Sequence, residues 1–327
     1  MNQLPIILTM GDPAGIGPEV ILQSFKKTEV NTLPVVVFGD FEVMELFKTQ
    51  LNISEYALKQ VFNINDVVFN EKVLNVVDFN NIDMSTYKMG EVSQMCGQAA
   101  FEYVVESIKA VQAGLARAVT TAPLNKEAMH LAGHYYPGHT EIFAEYSGSS
   151  DYAMMLYDEK LSVIHVSTHI SLSQAISTLS QKRIEQVIEL AGENIAKIKG
   201  RKAKIAVAGL NPHASENGLF GDEEEKIITP AIKAMKSKYD VIGPISPDTV
   251  FVRGLKKDFD IVVAMYHDQG HIPFKLFAFD SGVNTSVGLP IIRTSVDHGT
   301  AFDIAGQGLA GDSSMVAAIL LANKLSL

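Results

Sequence analysis

DIVVAMYHDQG, residues 260–270, is a run of apolar, partly β-branched side chains that stops abruptly at a histidine, an aspartate and a glycine. A strand with one wet face alternates polar and apolar residues, whereas a strand covered on both faces is apolar nearly throughout. Working outward, the same signature returns in PIILT (5–9), PVVVFG (34–39), ARAVTT (116–121) and AKIAVAG (203–209). Amphipathic helical patterns fall between and after these runs, over 97–114, 181–199, 222–238 and 313–324. Strand alternating with helix predicts an α/β protein with largely parallel sheets. The chain has 327 residues, and at roughly 100–200 residues per domain two such domains are expected. No low-complexity segment or Gly/Ser linker separates them, so ordinary crossovers must join them.

Composition narrows the class. The chain is 47% hydrophobic and 20% charged, with 27 Lys plus Arg against 37 Asp plus Glu, a net charge of -10. That surplus of acid, without any block of basic residues, excludes general nucleic-acid binding. It also weighs against an anionic substrate, although net charge governs long-range steering and not the field inside one site. The single cysteine, Cys96, rules out an internal disulfide, a thiolate zinc cluster and a C-x-x-C redox pair, and suits a reducing compartment. The start has no basic-then-apolar leader and no apolar run is long enough for a membrane span, so a soluble, cytoplasmic protein is expected.

In open α/β sheets ligands bind beyond the carboxyl ends of the strands. The chemistry-bearing residues lie there: TMGDPAGIGPE after the first run, TAPLNKE after the third, GLNPHASENGLFGDEE after 204–208 and YHDQGHIPFK after 261–265. Walker A, H-E-x-x-H and G-x-S-x-G motifs are missing. A literal G-x-G-x-x-G occurs at Gly306, Gly308 and Gly311, but no buried strand precedes it and no βαβ unit follows, so it is read as chance. Gly11, Gly15 and Gly17 do follow a strand, yet Val20 stands where the third fingerprint glycine belongs. Any NAD site here lacks the usual Rossmann loop.

Nine histidines sort individually. His130, His134, His165 and His271 show no partner pattern and read as packed or surface residues. His169, His213 and His267 each follow an apolar strand. Three neutral imidazoles meeting at one sheet edge suit a catalytic divalent metal, while lone histidines are as often structural, and spacing leaves both readings open. Asp268 and Gln269 are either the outer support of His267 or a turn. His139-Thr140-Glu141 places an imidazole and a hydroxyl before a helix, with Thr140 as its N-cap and the helix N-terminus as a seat for phosphate or carboxylate.

MGDPAGIGPEV, TAPLNKE, PGHTE, GLNPHA, PDTVF, YHDQGHIPFK and GVNTSVGLPIIRTSVDHGTAFDIAG together resemble the 4-hydroxythreonine-4-phosphate dehydrogenase family, from the first strand to about Gly308. STHIS and the segment 266–294 are closer to its branch acting on D-threonate or D-erythronate 4-phosphate. GDPAGIGPEV and HGTAFDIAG are also similar to segments of isopropylmalate and isocitrate dehydrogenases. The resemblance implies two α/β/α domains of that type with the active site in the cleft between them. The first is expected over 1–125 plus 285–327, with the NAD loop, and the second over 126–284, with the metal ligands and a dimer interface. It implies that His169, His213 and His267 hold a divalent ion (Zn, Mg, Co, Ni or Mn), at a site completed by the second subunit of a homodimer. Substrate contacts fall on His139, Thr140, Lys275, Asn284 and Arg293, catalytic roles on Asp248 and Lys275, and NAD contacts on His298, Gly299 and Asp303.

The implied reaction is metal- and NAD-dependent oxidation of a hydroxyl β to a carboxylate, followed by loss of carbon dioxide. It turns 4-hydroxy-L-threonine 4-phosphate into 3-amino-2-oxopropyl phosphate, or D-threonate 4-phosphate into dihydroxyacetone phosphate. Two other readings use the same residues: a metal-dependent phosphate-ester hydrolase or lyase without NAD, and a phosphometabolite-binding module with structural histidines.

Overall fold

The apolar runs fold as strands covered on both faces. In the computed structural model, which describes residues 4–327, the strands in chain order are β1 (Ile6–Thr9), β2 (Val35–Gly39), β3 (Ala57–Val61), β4 (Val73–Asp78), β5 (Ala118–Thr121), β6 (Ala153–Tyr157), β7 (Ser162–His165), β8 (Lys204–Ala208), β9 (Asp240–Ile245), β10 (Ile261–Ala264), β11 (Val283–Val287) and β12 (Arg293–Val296). Every residue of β1, β2, β5, β7, β10 and β12 is buried. The chain divides into two compact units, one formed by residues up to Ser150 with Leu289–Leu327, the other by Asp151–Gly288.

The first unit orders its strands β3-β4-β2-β1-β5-β12, all parallel. The chain winds outward from one side of β1 and returns to its other side. Such a reversal opens a crevice at the carboxyl ends of the two strands that flank it, here β1 and β5. The loops there touch: Asp12 N donates to Pro123 O at 2.8 Å, and a Cβ on Gly11, whose φ is 73°, would lie 2.2 Å from that same oxygen.

The second unit is ordered β11-β6-β7-β10-β8-β9. β11/β6 and β6/β7 are antiparallel, and the remaining pairs are parallel. β6 and β7 are too close in sequence for a parallel crossover, which needs a dozen or more residues. Leu156, Val163, Ala206, Val262 and Phe274 share the buried core of this unit.

The boundary expected at 125 lies at 150 instead. Helices Lys126–Leu131 and His139–Ser147 bring Met129, Ile142 and Phe143 into one core with Phe101, Val104 and Ile108 of helix Gln94–Gln112. That apolar burial binds residues 126–150 to the first unit. The return crossing falls at 288 and not 284, which keeps β11 whole. Among the described residues no helix is long and apolar enough to cross a membrane.

Candidate active site

In the first unit, β12 and the helix His139–Ser147 gather His139, Thr140 and Arg293. Arg293, the first residue of β12, is 3% exposed. Its Nη2 donates to Thr121 Oγ1 at 3.0 Å and its Nη1 reaches Thr140 Oγ1 at 3.5 Å. Burial pushes the guanidinium down to about 9, with the nearby Glu141 carboxylate opposing, so it stays a cation at neutral pH. His139 is held well below the usual imidazole range by burial first and then by the charges of Arg293 and Lys126. It is neutral, and its buried Nε2 has no hydrogen-bond partner. Thr140 is not the N-cap that the sequence suggested. Gly138 occupies that position with no side-chain cap, which leaves the Thr140 hydroxyl for Arg293. A buried cation, a neutral imidazole and an uncapped helix start form an anion seat.

The candidate NAD loop follows β12. His298 Nδ1 donates to Gly299 O at 3.1 Å and its buried Nε2 lacks a partner. Asp303 lies in the short helical turn Phe302–Ile304. This loop packs on the N-terminal motif: Ile16 N donates to Thr300 O, and the buried Glu19 accepts from Gly306 N and Ala310 N, both at 2.9 Å. The literal G-x-G-x-x-G is therefore a turn tied down by Glu19 and preceded by that helical turn, not by a strand. Close by, Asp12 is fully buried. Its Oδ1 accepts from Ala14 N at 2.9 Å, its Oδ2 has no partner, and burial pushes the carboxyl up to about 7 against that hydrogen bond.

In the second unit, the carboxyl ends of β7 and β10 bring together His169 and His267, with ring centres 6.0 Å apart. Both line a cavity of about 450 Å³ with Thr168, Tyr266 and Asp268. His267 Nδ1 donates to Asp268 Oδ1 at 2.6 Å, which leaves Nε2 as the ring's lone-pair donor. Imidazole nitrogens are common ligands of a divalent ion, and this pair, with Asp268 behind His267, puts two of them on one cavity. His213 does not line that cavity, and among the described residues no group of three His, Cys, Asp or Glu side chains is placed to hold a metal ion. Gln269 serves elsewhere, accepting from Met265 N and donating to Gly209 O.

His165 and His271 are packed, as the sequence suggested, but against this pair. His271 stacks on His267 at 3.6 Å and 11°. Met154 O only accepts, so His165 carries its proton on Nδ1 (3.2 Å) and its Nε2 accepts from His271 Nδ1 at 3.1 Å. Burial and then the neighbouring imidazole push His165 down to about 3, and burial and His267 push His271 down to about 4. Gly270 makes this approach possible, since a Cβ there would lie 2.4 Å from His165 Nε2. The i, i+4 spacing of His267 and His271 was the one sequence signal for this arrangement.

The other expected residues of this unit do not line that cavity. His213 sits in a left-handed loop after β8. Asp248, exposed near the start of helix Pro247–Leu255, accepts from Ser246 Oγ, and that bond, with a smaller contribution from His213, keeps its carboxyl below the usual range. Lys275 lies on helix His267–Ala278 one turn beyond His271. Asn284 lies on β11, and its buried Oδ1 lacks a partner.

The family described as Pyridoxal phosphate biosynthetic protein PdxA matches residues 31–322. D-threonate 4-phosphate dehydrogenase of Pectobacterium atrosepticum is 49% identical, over 98% of this chain and 99% of that protein. 4-hydroxythreonine-4-phosphate dehydrogenase of Beijerinckia indica is 43% identical, over 98% of this chain and 95% of that protein. The crystal structure of 4-hydroxythreonine-4-phosphate dehydrogenase from Klebsiella pneumoniae matches with a TM-score of 0.89 at 47% identity, over 99% of this chain and 100% of that one. Isocitrate dehydrogenase from Methylococcus capsulatus, at 15% identity and a TM-score of 0.53, shares the fold alone. The match extends over nearly the whole chain, which therefore belongs to the PdxA family and is a dehydrogenase.

Proposed function

We propose that the chain catalyses NAD- and divalent-metal-dependent oxidative decarboxylation of D-threonate 4-phosphate to dihydroxyacetone phosphate, with 4-hydroxy-L-threonine 4-phosphate as the alternative substrate. The observation that carries this reading is the buried Arg293 beside a neutral His139 with a bare Nε2. Arg293 and Thr140 bind an oxyanion of the substrate, and His139 Nε2 accepts from a substrate hydroxyl. Asn284 Oδ1, also bare, accepts from a second. Asp248, ionised at neutral pH, takes the proton of the alcohol. Lys275 returns a proton to the carbon that loses carbon dioxide. A divalent ion held by His169 and His267, with His213 as third ligand, would supply Lewis-acid polarisation of the reacting oxygen. NAD at the loop of His298, Gly299 and Asp303 would supply the oxidising equivalent. Membership of a dehydrogenase family counts against the hydrolase, lyase and binding-module readings.

We also infer a homodimer. Ile272, Leu276 and Phe279, exposed by 58%, 86% and 68%, form an apolar stripe along one helix, larger than scattered surface residues require. A sedimentation mass of one protomer would sink this inference.

The test is absorbance at 340 nm with NAD, a divalent ion and each substrate in turn. The expected result is NADH with D-threonate 4-phosphate in preference to 4-hydroxythreonine 4-phosphate. Release of inorganic phosphate without NADH from either would overturn the proposal.

A further inference from the structure

Residues 121–127, TAPLNKE, leave the carboxyl end of β5 and begin at the seat of Arg293. Thr121 accepts from Arg293 Nη2. The loop behind it is pinned on both sides, since Ala122 N donates to Thr9 O at 3.1 Å and Pro123 O accepts from Asp12 N at 2.8 Å. Asn125 Oδ1 then accepts from Ala128 N at 2.9 Å and caps helix Lys126–Leu131, which makes Lys126 its first residue.

Packing fixes how that helix lies. Ala128 and Met129 are fully buried, and helix Gln94–Gln112 comes so near that a Cβ on Gly97 would lie 2.0 Å from Ala128 O. Lys126 is left exposed, and among the described residues no ion pair engages its ammonium. Its charge is felt by the buried imidazole of His139. The seat needs that charge. Glu141 sets a carboxylate near Arg293 and His139 is neutral, so guanidinium and carboxylate alone nearly cancel for an approaching anion. With Lys126 the balance is positive.

We propose that Lys126 is a further substrate-binding residue: its ammonium closes the seat of Arg293 and Thr140 over the phosphate of the substrate. The proposal rests on the anion seat described above and names which end of the substrate enters it. A phosphate monoester carries a charge of about −1.5 to −2 at pH 7, whereas a carboxylate carries a single charge, so the added cation favours the phosphate. The two side chains divide the work. Arg293 offers a planar fork held by Thr121 and Thr140, and Lys126 a compact charge on a flexible stem that can follow the phosphate in and out.

The experiment is a calorimetric titration of the full-length protein with inorganic phosphate and, separately, with D-threonate, which has the carboxylate and lacks the phosphate. The parent is compared with Lys126→Gln, Lys126→Arg and Arg293→Met. We expect Lys126→Gln to weaken phosphate binding by about 10-fold or more, the range of a hydrogen bond to a charged group, and to leave D-threonate binding as it was. Lys126→Arg, which keeps the charge, should retain most of the affinity. In turnover of D-threonate 4-phosphate, Lys126→Gln should raise KM by a similar factor and lower kcat little, as expected when an interaction is made equally in ground and transition states. Unchanged phosphate binding in Lys126→Gln while Arg293→Met binds weakly would overturn the proposal and leave the seat standing. A loss for D-threonate as large as for phosphate would assign Lys126 to the carboxylate and overturn it too. Absence of phosphate binding in the parent, or full binding in Arg293→Met, would remove the seat itself, and the proposal with it.

Discussion

In the first unit the groups assigned to the substrate are themselves buried, Arg293 and Thr140 being 3% and 6% exposed. In the second unit His169 and His213 are exposed and His267 is half-buried, while His165 and His271, which pack against His267, are buried instead. The first arrangement strips water from the reagent in advance, so an arriving anion meets the guanidinium in a medium where charges interact strongly. The second leaves the proposed ligands open to solvent and uses the interior to hold one of them, His267, in place.

The comparison breaks most visibly at Arg293. Arg293→Met should lower kcat/KM by roughly a thousandfold, within the range of about 2–5 kcal/mol for removing one partner of a buried charge pair. Co²⁺ affinity measured by calorimetry should not change. Arg293→Lys should rescue little, because the fork that meets Thr121 and Thr140 is lost. A parallel loss of Co²⁺ affinity would show that the two seats are not independent.

A smaller effect is expected on the exposed side. Asp268→Asn removes the carboxylate behind His267 and should weaken Co²⁺ binding by about 10–100-fold, with the Tm unchanged. An unaltered titration would mean that stacking on His271 orients His267 without help from Asp268.

The smallest effect sharpens the comparison through pH. The folded pKa of Asp12, about 7, is raised above its ordinary value of 3.8. Its contribution to stability is thus full below pH 3.8 and is lost as pH rises through about 7. His165 and His271 are lowered from 6.5 to about 3 and about 4, so theirs is full above pH 6.5 and is lost as pH falls toward those values. Asp12→Asn should flatten the alkaline decline in urea midpoint between about pH 4 and about pH 7 and leave the acid decline in place. An alkaline decline as steep as the parent's would remove Asp12 as its cause.

The sequence was most legible where one short window held all the physics. Apolar runs such as Ile261–Ala264 announced buried strands, helix Gln181–Lys199 kept its expected bounds, and the missing strand before Gly306 exposed the false nucleotide motif. It was least legible where partners are distant. His165 and His271 are 106 positions apart, so neither window shows the other. Residues 126–150 look like the start of a new domain, and only the packing of Ile142 and Phe143 on helix Gln94–Gln112 assigns them to the old one. His213 was visible as a histidine after a strand. The backbone run that directs it was not, because nothing in Ala214-Ser215-Glu216 advertises positive φ.

Glu19 ties Gly306 and Ala310 to the first helix across 287 and 291 residues of chain. During synthesis the second unit is contiguous and complete once Gly288 has emerged. The first unit, begun earlier, must wait for the segment Leu289–Leu327. Until β12 arrives, β5 presents an unpaired edge to the crowded exit of the ribosome, the kind of surface on which chains misassociate. Order of birth and order of completion are therefore reversed for the two units, and residues made after the whole second unit close the loops of the first.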